Sequence, residues 1–391
     1  MNAVFEYHSL PRVVFGRGQV ARVGEIAGRF GSSVLIIHAG TGAGSHEPVR
    51  IVERHLSEAG VRAVLLRQRG EPRVSDVERA VDAARRHGCD ALVAVGGGSA
   101  VDCAKAAAGL LTNGGSPVDY MEVVGRGRKL AQPAAPWIAI PTTAGSGAEA
   151  TRNAVIACPE KQFKASIRSE HLLARAAIVD PELGDDVPDA VRAASGLDAL
   201  AQLIEAFVSR GASPLTDALA LQGLRLAGRS LRPAVLAADH SARDEMALAA
   251  LLSGMALANA GLGAVHGFAA PLGAKYPVPH GVACAALLPH VIAANISVAR
   301  KSDHRLLAKF AEIGRALAGR ADLAEPAALD ACGEFTASLV KDLSIPALGS
   351  FGISAADVPE LVELARKSSS MKYNPVDLSG ECLAEILRKA L

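Results

Sequence analysis

Residues 91–111 read ALVAVGGGSAVDCAKAAAGLL, an apolar run that passes through three glycines into an alanine-rich segment. Apolar residues without polar alternation are typical of a strand that is buried on both faces of a parallel sheet. The residues after Ser99 have the composition of a helix. This stretch therefore predicts a strand over 91–99 that runs into a glycine turn, and a following helix that carries Asp102 to Leu111.

The same alternation of apolar runs and helical patterns continues on both sides of this stretch. It predicts further strands over 33–40, 61–68 and 136–143, and helices over 47–59 and 75–88. Strands separated by helices indicate a parallel sheet that is covered on both faces. We therefore expect an α/β domain of the doubly wound class.

The pattern changes after Pro181, and from Asp189 to the C-terminus it is helical with few plausible strands. The connector DPELGDDVP (180–188) is rich in Pro and Asp, as at a domain boundary. At roughly 100–200 residues per domain, a chain of 391 residues is long enough for two or three domains. We predict an α/β domain over residues 1–183 and an all-helical domain over residues 184–391.

Charge and composition exclude several classes of protein. The chain carries 41 Lys and Arg against 40 Asp and Glu, so a polyanionic partner such as nucleic acid or an acidic membrane is not expected. Half of the residues are hydrophobic and 21% are charged, which is unlike a disordered chain.

The cysteines and the N-terminus predict a cytoplasmic protein. The closest two of the six cysteines, Cys89 and Cys103, lie fourteen residues apart, which is unlike a disulfide framework and typical of reduced thiols. The N-terminal sequence has no apolar core of a secretory signal. Met246 to Val265 is a run of twenty uncharged residues, long enough to span a bilayer, but its Ala and Gly content and its charged flanks favour a buried helix.

Two turns are candidates for binding a nucleotide. Gly96-Gly97-Gly98-Ser99 lies where a strand enters a helix, so bare glycines and free helical N–H groups can meet phosphate oxygens, although a tight turn that simply needs glycine is the alternative. PTTAGSGAE (141–149) offers the hydroxyls of Thr142, Thr143 and Ser146 at another strand end. Together the two turns suggest a nucleotide lying across neighbouring strand ends.

Four residues of the helical half are candidates for a metal site. Asp198 and Gln202 lie four residues apart on one helical face, and His266 and His280 follow in two His-Gly dipeptides. An Asp and two His with an open position form a plausible catalytic metal set, whereas each His alone is more typical of a structural residue. Spacing alone predicts a nucleotide-binding α/β enzyme and leaves the metal open.

Several of these motifs, in this order, resemble those of the iron-containing (group III) alcohol dehydrogenases, a family that includes maleylacetate reductase-like members. The resemblance spans nearly the whole chain and rests on the motifs FEYHSLPRVVFGRG (5–18), GGGSAVDCAK (96–105), PTTAGSGAEAT (141–151), the run 180–205, HGFAAPLGAKYPVPHG (266–281) and Asn374-Pro375. It implies an NAD(P)-binding α/β domain, a helical domain, a cleft between them, a dimer, and hydride transfer between an alcohol and nicotinamide.

The resemblance also implies roles for individual residues. Gly97, Gly98 and Ser99 would hold the pyrophosphate of NAD or NADP, with Asp102 beside the cofactor. Thr142, Thr143 and Ser146 would line the nicotinamide side. Asn153 and Lys164 occupy further cofactor-contact positions. The metal positions, for Fe or Zn, correspond to Asp198, Gln202, His266 and His280.

Three positions depart from the family pattern. Gln202 stands where most metal-dependent members carry His, although related members coordinate zinc with one carboxylate and two His. Ala270 stands where alcohol dehydrogenases of the family often have a His for proton relay. Ala39 stands where NAD-specific relatives often place an Asp that excludes NADPH, so its absence allows NADPH.

The leading hypothesis is a metal-assisted NAD(P)-dependent alcohol dehydrogenase or aldehyde reductase that acts on a small molecule. Gln202 and Ala270 favour the alternative of a metal-independent, maleylacetate reductase-type enzyme. A carbon–oxygen lyase resembling dehydroquinate synthase is a third hypothesis, for which Lys164, Arg168 and Lys275 are candidate basic residues.

Overall fold

The computed structural model describes residues 4–39, 47–123, 125–161, 163–301 and 303–391. These residues divide into two compact units, His8–Val187 and Pro188–Leu391, with residues 4–7 joined to the second. The boundary predicted between residues 183 and 184 lies four residues before this division.

A six-stranded parallel sheet forms the centre of the first unit, with the strand order β1-β8-β5-β4-β2-β3. Its strands are β1 (Arg12–Phe15), β2 (Ser33–Ala39), β3 (Arg62–Gln68), β4 (Ala91–Gly96), β5 (Trp137–Pro141) and β8 (Ala176–Val179). Strand β4 is buried along its whole length between β2 and β5. The strand predicted over 91–99 is shorter than expected because the next helix already begins at Gly98.

The helices of this unit are α1 (Val23–Ala27), α2 (Glu47–Glu58), α3 (Val74–Arg86), α4 (Gly98–Asn113) and α5 (Pro117–Tyr120). They cover both faces of the sheet. Leu92 and Ala94 of β4 share a core with α3 and α4, whereas Val93 and Val95 share a core with α1 and α2. This alternation confirms the predicted doubly wound α/β class.

An antiparallel hairpin, which the sequence analysis did not predict, follows β5. It pairs β6 (Asn153–Cys158) with β7 (Phe163–Arg168). Helix α4 holds the hairpin, because the ammonium of Lys105 donates to the carbonyl of Asn153 at 2.8 Å and Asp102 Oδ2 accepts from the N–H of Val155 at 3.0 Å.

The described residues of the second unit form helices and no strand, which confirms the predicted helical half. The helices are α6 (Asp189–Val208), α7 (Pro214–Leu236), α8 (His240–Ala260), α9 (Ala264–Lys275), α10 (His280–Ala299), α11 (His304–Ala318), α12 (Glu325–Asp342), α13 (Val358–Lys367) and α14 (Gly380–Ala390).

The uncharged run from Met246 to Val265 is not one continuous helix. It ends α8 and begins α9, and the two helices meet at 100° across a break at Gly261–Gly263. Among the described residues, α10 is long and apolar enough to cross a bilayer by length and composition alone, and 67% of its most apolar window is buried inside the protein. Core helices of soluble proteins also have this combination of features.

Candidate active site

The glycine turn joins the buried strand β4 to the N-terminus of α4. Gly96 has a φ of +152°, and a Cβ there would lie 2.8 Å from the Cβ of Ala39. Gly97 is the N-cap residue of α4 and has no side chain with which to cap the helix. The first N–H groups of α4 are therefore available to an anion, and the helix dipole favours one there.

The second turn lies directly beside the first. Strands β4 and β5 pair in parallel up to Gly96 and Pro141, and the N–H of Thr142 donates to the carbonyl of Gly96 at 3.1 Å. A Cβ on Gly97 would lie 3.1 Å from Thr143 Oγ1, and one on Gly98 would lie 2.8 Å from Ser146 Oγ. The structure thus brings together the two predicted turns at the carboxyl ends of neighbouring strands, where α/β sheets bind ligands.

Asp102 lies one turn into α4, and its side chain is 14% exposed. Its Oδ1 lies 3.6 Å from Lys105 Nζ but has no hydrogen-bond partner in the described part of the chain. Burial raises the pKa of this carboxyl, against the lowering effect of Lys105. Oδ1 is therefore an acceptor that a ligand hydroxyl can satisfy.

Lys105, which follows the glycine turn in the sequence, does not belong to the anion site. It is fully buried, and its ammonium donates to the carbonyl of Ala148, the hydroxyl of Thr151 and the carbonyl of Asn153 at 2.7–2.8 Å. These acceptors occupy all three of its donors. Lys105 is a structural residue that holds the loop after β5 and the hairpin against α4.

Asn153 and Lys164 both lie in the hairpin. Asn153 begins β6 and is half-buried. Lys164 lies on β7, where its ammonium forms an ion pair with Glu71 at 2.5 Å. Both residues therefore lie in the first unit, and no contact of their side chains with the glycine turn is seen among the described residues.

In the second unit, three of the four predicted metal residues converge. Asp198 is on α6, His266 on α9, and His280 is the first residue of α10. Asp198 Oδ1 lies 3.2 Å from His266 Nε2 and 3.7 Å from His280 Nε2. Asp198 and His266 are buried, whereas the side chain of His280 is 44% exposed.

Cys284 joins this cluster, and sequence reasoning missed it. Its Sγ lies 3.7 Å from Nε2 of both His266 and His280. Together with Asp198 these residues offer four ligand atoms that lie within 4.8 Å of one another. The spacing His280-x-x-x-Cys284 places both side chains on one face of a helix and was the available sequence signal.

Gln202, the fourth predicted ligand, is held by two other side chains. Its Nε2 donates to Asp198 Oδ2 at 3.2 Å, and its Oε1 accepts from the hydroxyl of Ser253 at 2.7 Å. In this arrangement the amide orients the carboxylate of Asp198.

Glu205 is a further residue that the sequence analysis did not identify. Its Oε2 lies 2.6 Å from Nδ1 of His266, and its Oε1 accepts from the N–H of Val265 at 2.7 Å. A carboxylate on Nδ1 fixes the ring and leaves Nε2 as the ligating atom, as in carboxylate–histidine–metal arrangements.

The charges of the cluster favour a cation. Burial would raise the pKa of Asp198, but the imidazoles of His280 and His266 outweigh it and lower that pKa. Burial would lower the pKa of His266, yet Cys284, Asp198 and Glu205 hold it well above its usual value. Cys284 and Asp198 raise the pKa of His280 to about 9 against the effect of burial. The donor set, one carboxylate, two imidazoles and a thiol, fits a divalent metal such as zinc.

Comparison with known proteins identifies the family. Residues 11–181 match the family described as iron-containing alcohol dehydrogenase, and residues 192–391 match the family described as Fe-containing alcohol dehydrogenase, C-terminal. The chain belongs to the iron-containing alcohol dehydrogenase family. It is an alcohol dehydrogenase-type oxidoreductase.

Members of the iron-containing alcohol dehydrogenase family match over almost the full length of the chain. The 1,3-propanediol dehydrogenase of Citrobacter freundii is 36% identical to this chain, and the match covers 99% of both proteins. The NAD-dependent methanol dehydrogenase of Bacillus methanolicus is 33% identical over 97% of this chain and 98% of its own length. The crystal structure of a 1,3-propanediol oxidoreductase matches with a TM-score of 0.91 and 34% identity, and both chains are covered to 100%.

Proposed function

We propose that this enzyme oxidises a small alcohol to its aldehyde or ketone with a nicotinamide cofactor, reversibly, and that a divalent metal assists at Asp198, His266 and His280. The observation that carries the proposal is the convergence of these three donors from separate helices, with the ring of His266 fixed by Glu205. Donors that lie 68 and 82 residues from Asp198 in the sequence meet at one point, as the hypothesis of a metal site requires.

The cofactor would bind to the first unit. Gly97, Gly98 and Ser99 would hold the pyrophosphate, because their backbone lies at an uncapped helix start and any Cβ on the two glycines would crowd Thr143 or Ser146. Further contacts would come from residues that offer hydroxyl, amide, carboxylate or ammonium groups: Thr142, Thr143, Ser146, Asp102, Asn153 and Lys164.

NAD and NADP differ in the 2′-phosphate, and Ala39 bears on this difference. Ala39 is the last residue of β2, and residues 40–46 lie outside the described residues. An Ala at this position supplies no carboxylate to repel a 2′-phosphate. We expect activity with NAD, as the names of relatives suggest, and measurable activity with NADP.

The bound cofactor would accept or supply the hydride, and the metal would polarise the alcohol or carbonyl oxygen and lower the pKa of the alcohol. The protein holds the groups that position the metal: Glu205 orients His266, and Gln202 orients Asp198. Ala270, one turn after His266, has no titratable group, so the alcohol proton would leave through water or the cofactor ribose.

The test is a spectrophotometric assay of NADH formation with primary alcohols and diols, including methanol and 1,3-propanediol, and of NADH or NADPH oxidation with aldehydes and maleylacetate. We expect turnover with at least one primary alcohol and its aldehyde. His266→Ala should lose metal and turnover while it keeps its affinity for NADH. Maleylacetate reduction that survives chelation would instead support the metal-independent alternative, and consumption of substrate with no net change in NADH would support a lyase.

We also propose a homodimer in the cytoplasm that binds neither nucleic acid nor membranes. The near-neutral charge, the dispersed cysteines and the family resemblance support this proposal. Light scattering of the purified protein tests the oligomeric state, and fractionation of its native host tests the location.

A further inference from the structure

Cys284 lies inside the cluster that the proposed metal would occupy. It is on α10, one turn after His280, and it is fully buried. Its sulfur lies at 3.7 Å from two imidazole nitrogens and belongs to the same group of four convergent donors as Asp198. A thiol in that position is a metal ligand once it has lost its proton.

The distances between the donors suit a tetrahedral metal. Bond lengths of about 2.0–2.3 Å from zinc to nitrogen, oxygen and sulfur place the ligand atoms of a tetrahedron about 3.3–3.6 Å apart. Asp198 Oδ1 lies 3.2 and 3.7 Å from the two Nε2 atoms, and Cys284 Sγ lies 3.7 Å from each of them. The other two of the six separations are within 4.8 Å.

Gln202 is not arranged as the fourth ligand. Its oxygen lies 2.7 Å from the hydroxyl of Ser253, which also lies 2.8 Å from the carbonyl of Ala250, and its NH₂ faces Asp198 Oδ2. Rotating the amide by half a turn would place its oxygen against a carboxylate oxygen and lose the hydrogen bond that orients Asp198.

We propose that Cys284, and not Gln202, is the fourth ligand, so that the metal site consists of one carboxylate, two imidazoles and one thiolate. This inference rests on the proposed metal-assisted function. The thiolate compensates for the His that most metal-dependent members carry at the position of Gln202. Metal binding breaks the S–H bond, releases that proton to solvent and forms one sulfur–metal bond, with no redox change.

Two consequences follow for the chemistry of the site. A thiolate is a soft ligand, so the site favours Zn²⁺ over Fe²⁺. Of the four donors His280 is the most exposed, at 44% against 0–7% for the other three, so a substrate would approach a bound metal past His280.

The test uses the full-length enzyme, stripped of metal with a chelator and reloaded with Co²⁺. Thiolate bound to Co²⁺ gives an intense near-ultraviolet charge-transfer band that oxygen and nitrogen ligands do not give. We expect the band in the wild type and in Cys332→Ala, a matched control because Cys332 is an equally buried thiol on α12. Cys284→Ser and Cys284→Ala should lose the band. Their affinity for Zn²⁺ should fall by more than ~10–100-fold, which is the loss seen when a residue that only hydrogen-bonds to a metal ligand is removed.

Gln202→Leu separates the two candidate ligands. Gln202→Leu should keep the Co²⁺ charge-transfer band. An unchanged band in Cys284→Ser would overturn the proposal. X-ray absorption of the zinc enzyme that shows no sulfur neighbour at about 2.3 Å would overturn it as well. Metal binding and turnover in a protein without the band would refute the role of Cys284 but leave the proposed function intact. A wild type that binds no metal yet catalyses alcohol oxidation would contradict both the inference and the metal assistance.

Discussion

At His266 two carboxylates share one imidazole ring. Glu205 approaches Nδ1 at 2.6 Å and Asp198 approaches Nε2 at 3.2 Å, and all three side chains are buried. Because Glu205 also accepts from the N–H of Val265, it is fixed to the backbone at the start of α9. The orientation of the ring is thus determined before any metal binds.

Replacing Glu205 tests this positioning role. Glu205→Gln preserves the volume but removes the charge beside Nδ1, so we expect metal affinity to fall by about 10–100-fold with little change in the melting temperature. Metal affinity is measured by competition with a chromogenic chelator. Glu245→Gln, at a carboxylate on α8 that pairs with Arg229, is the control. An affinity equal to that of the wild type would refute the role.

Glu149 predicts a pH dependence of stability. Burial raises its pKa from 4.5 to about 7, against the lowering effects of its own backbone N–H and of Lys105. Between these two values the folded state holds a proton that the unfolded chain has released, so the free energy of unfolding should fall as the pH rises from 4.5 to 7.

Urea unfolding of the wild type and of Glu149→Gln across this pH range measures the effect. The variant cannot ionise at this position, so its stability should fall less than that of the wild type. Glu381→Gln, at an exposed carboxyl on α14, should follow the wild type. Parallel curves for the wild type and Glu149→Gln would contradict the assignment.

The family resemblance predicted that Asp198, His266 and His280 lie together in a metal site. The spacing of these residues in the sequence left the existence of that site open. Cys284 and Glu205 were missed because a cysteine in an apolar helix and a glutamate in a helix have many structural explanations. The spacing of His280 and Cys284 was a local signal for Cys284 alone, and both missed residues become functional candidates only when α6, α9 and α10 pack together.

At the scale of elements, the passage from β4 into α4 forms the candidate anion site at Gly96–Ser99. The strand is buried on both faces, and the helix begins without a side-chain cap next to the hydroxyls of Thr143 and Ser146. This passage was predictable because its apolar run, its glycines and its helix are contiguous in the sequence.

Gly98→Val tests the passage. Its Cβ would lie 2.8 Å from Ser146 Oγ and its methyl groups would extend into the proposed phosphate position, so the Kd for NADH should rise by at least about 10-fold, or about 1.4 kcal/mol. Fluorescence titration with NADH measures it. Gly333→Ala, on α12 with no atom within 4 Å of the added Cβ, is the control. Unchanged affinity in Gly98→Val would exclude phosphate binding here.

Lys105→Met tests how α4 holds the hairpin. Methionine fills a similar volume but leaves three buried acceptors and the carboxylate of Asp102 without the ammonium, so we expect a loss of about 3–5 kcal/mol in unfolding free energy. Denaturant unfolding measures the loss, with Lys341→Met at an exposed position on α12 as the control. Equal stability of the two variants would contradict this structural role.

Strands β1 and β8 and the hairpin of β6 and β7 could not be predicted from local patterns. β1 and β8 have four residues each, too few for a periodic signal, and they pair with each other although they lie at opposite ends of the unit in sequence. The hairpin is held to α4 by Lys105. Because Lys105 follows the glycine turn in the sequence, its position suggests a phosphate ligand and gives no sign of this structural contact.

At the scale of the whole molecule, the chain combines an α/β unit that carries the two candidate cofactor turns with a helical unit that carries the candidate metal donors. The order of units and the family follow from motifs that span nearly the whole sequence, and the family matches cover residues 11–181 and 192–391. The substrate does not follow in the same way, because relatives that are 36% and 33% identical to this chain are named for different alcohols.

Metal content and alcohol-dependent NADH formation can be measured on the same sample of full-length enzyme, before chelation, after chelation and after reloading with Zn²⁺. We expect close to one metal ion per chain, loss of turnover on chelation and recovery on reloading. Full turnover in metal-free protein would contradict the metal-assisted mechanism and would assign the enzyme to the metal-independent branch of its family.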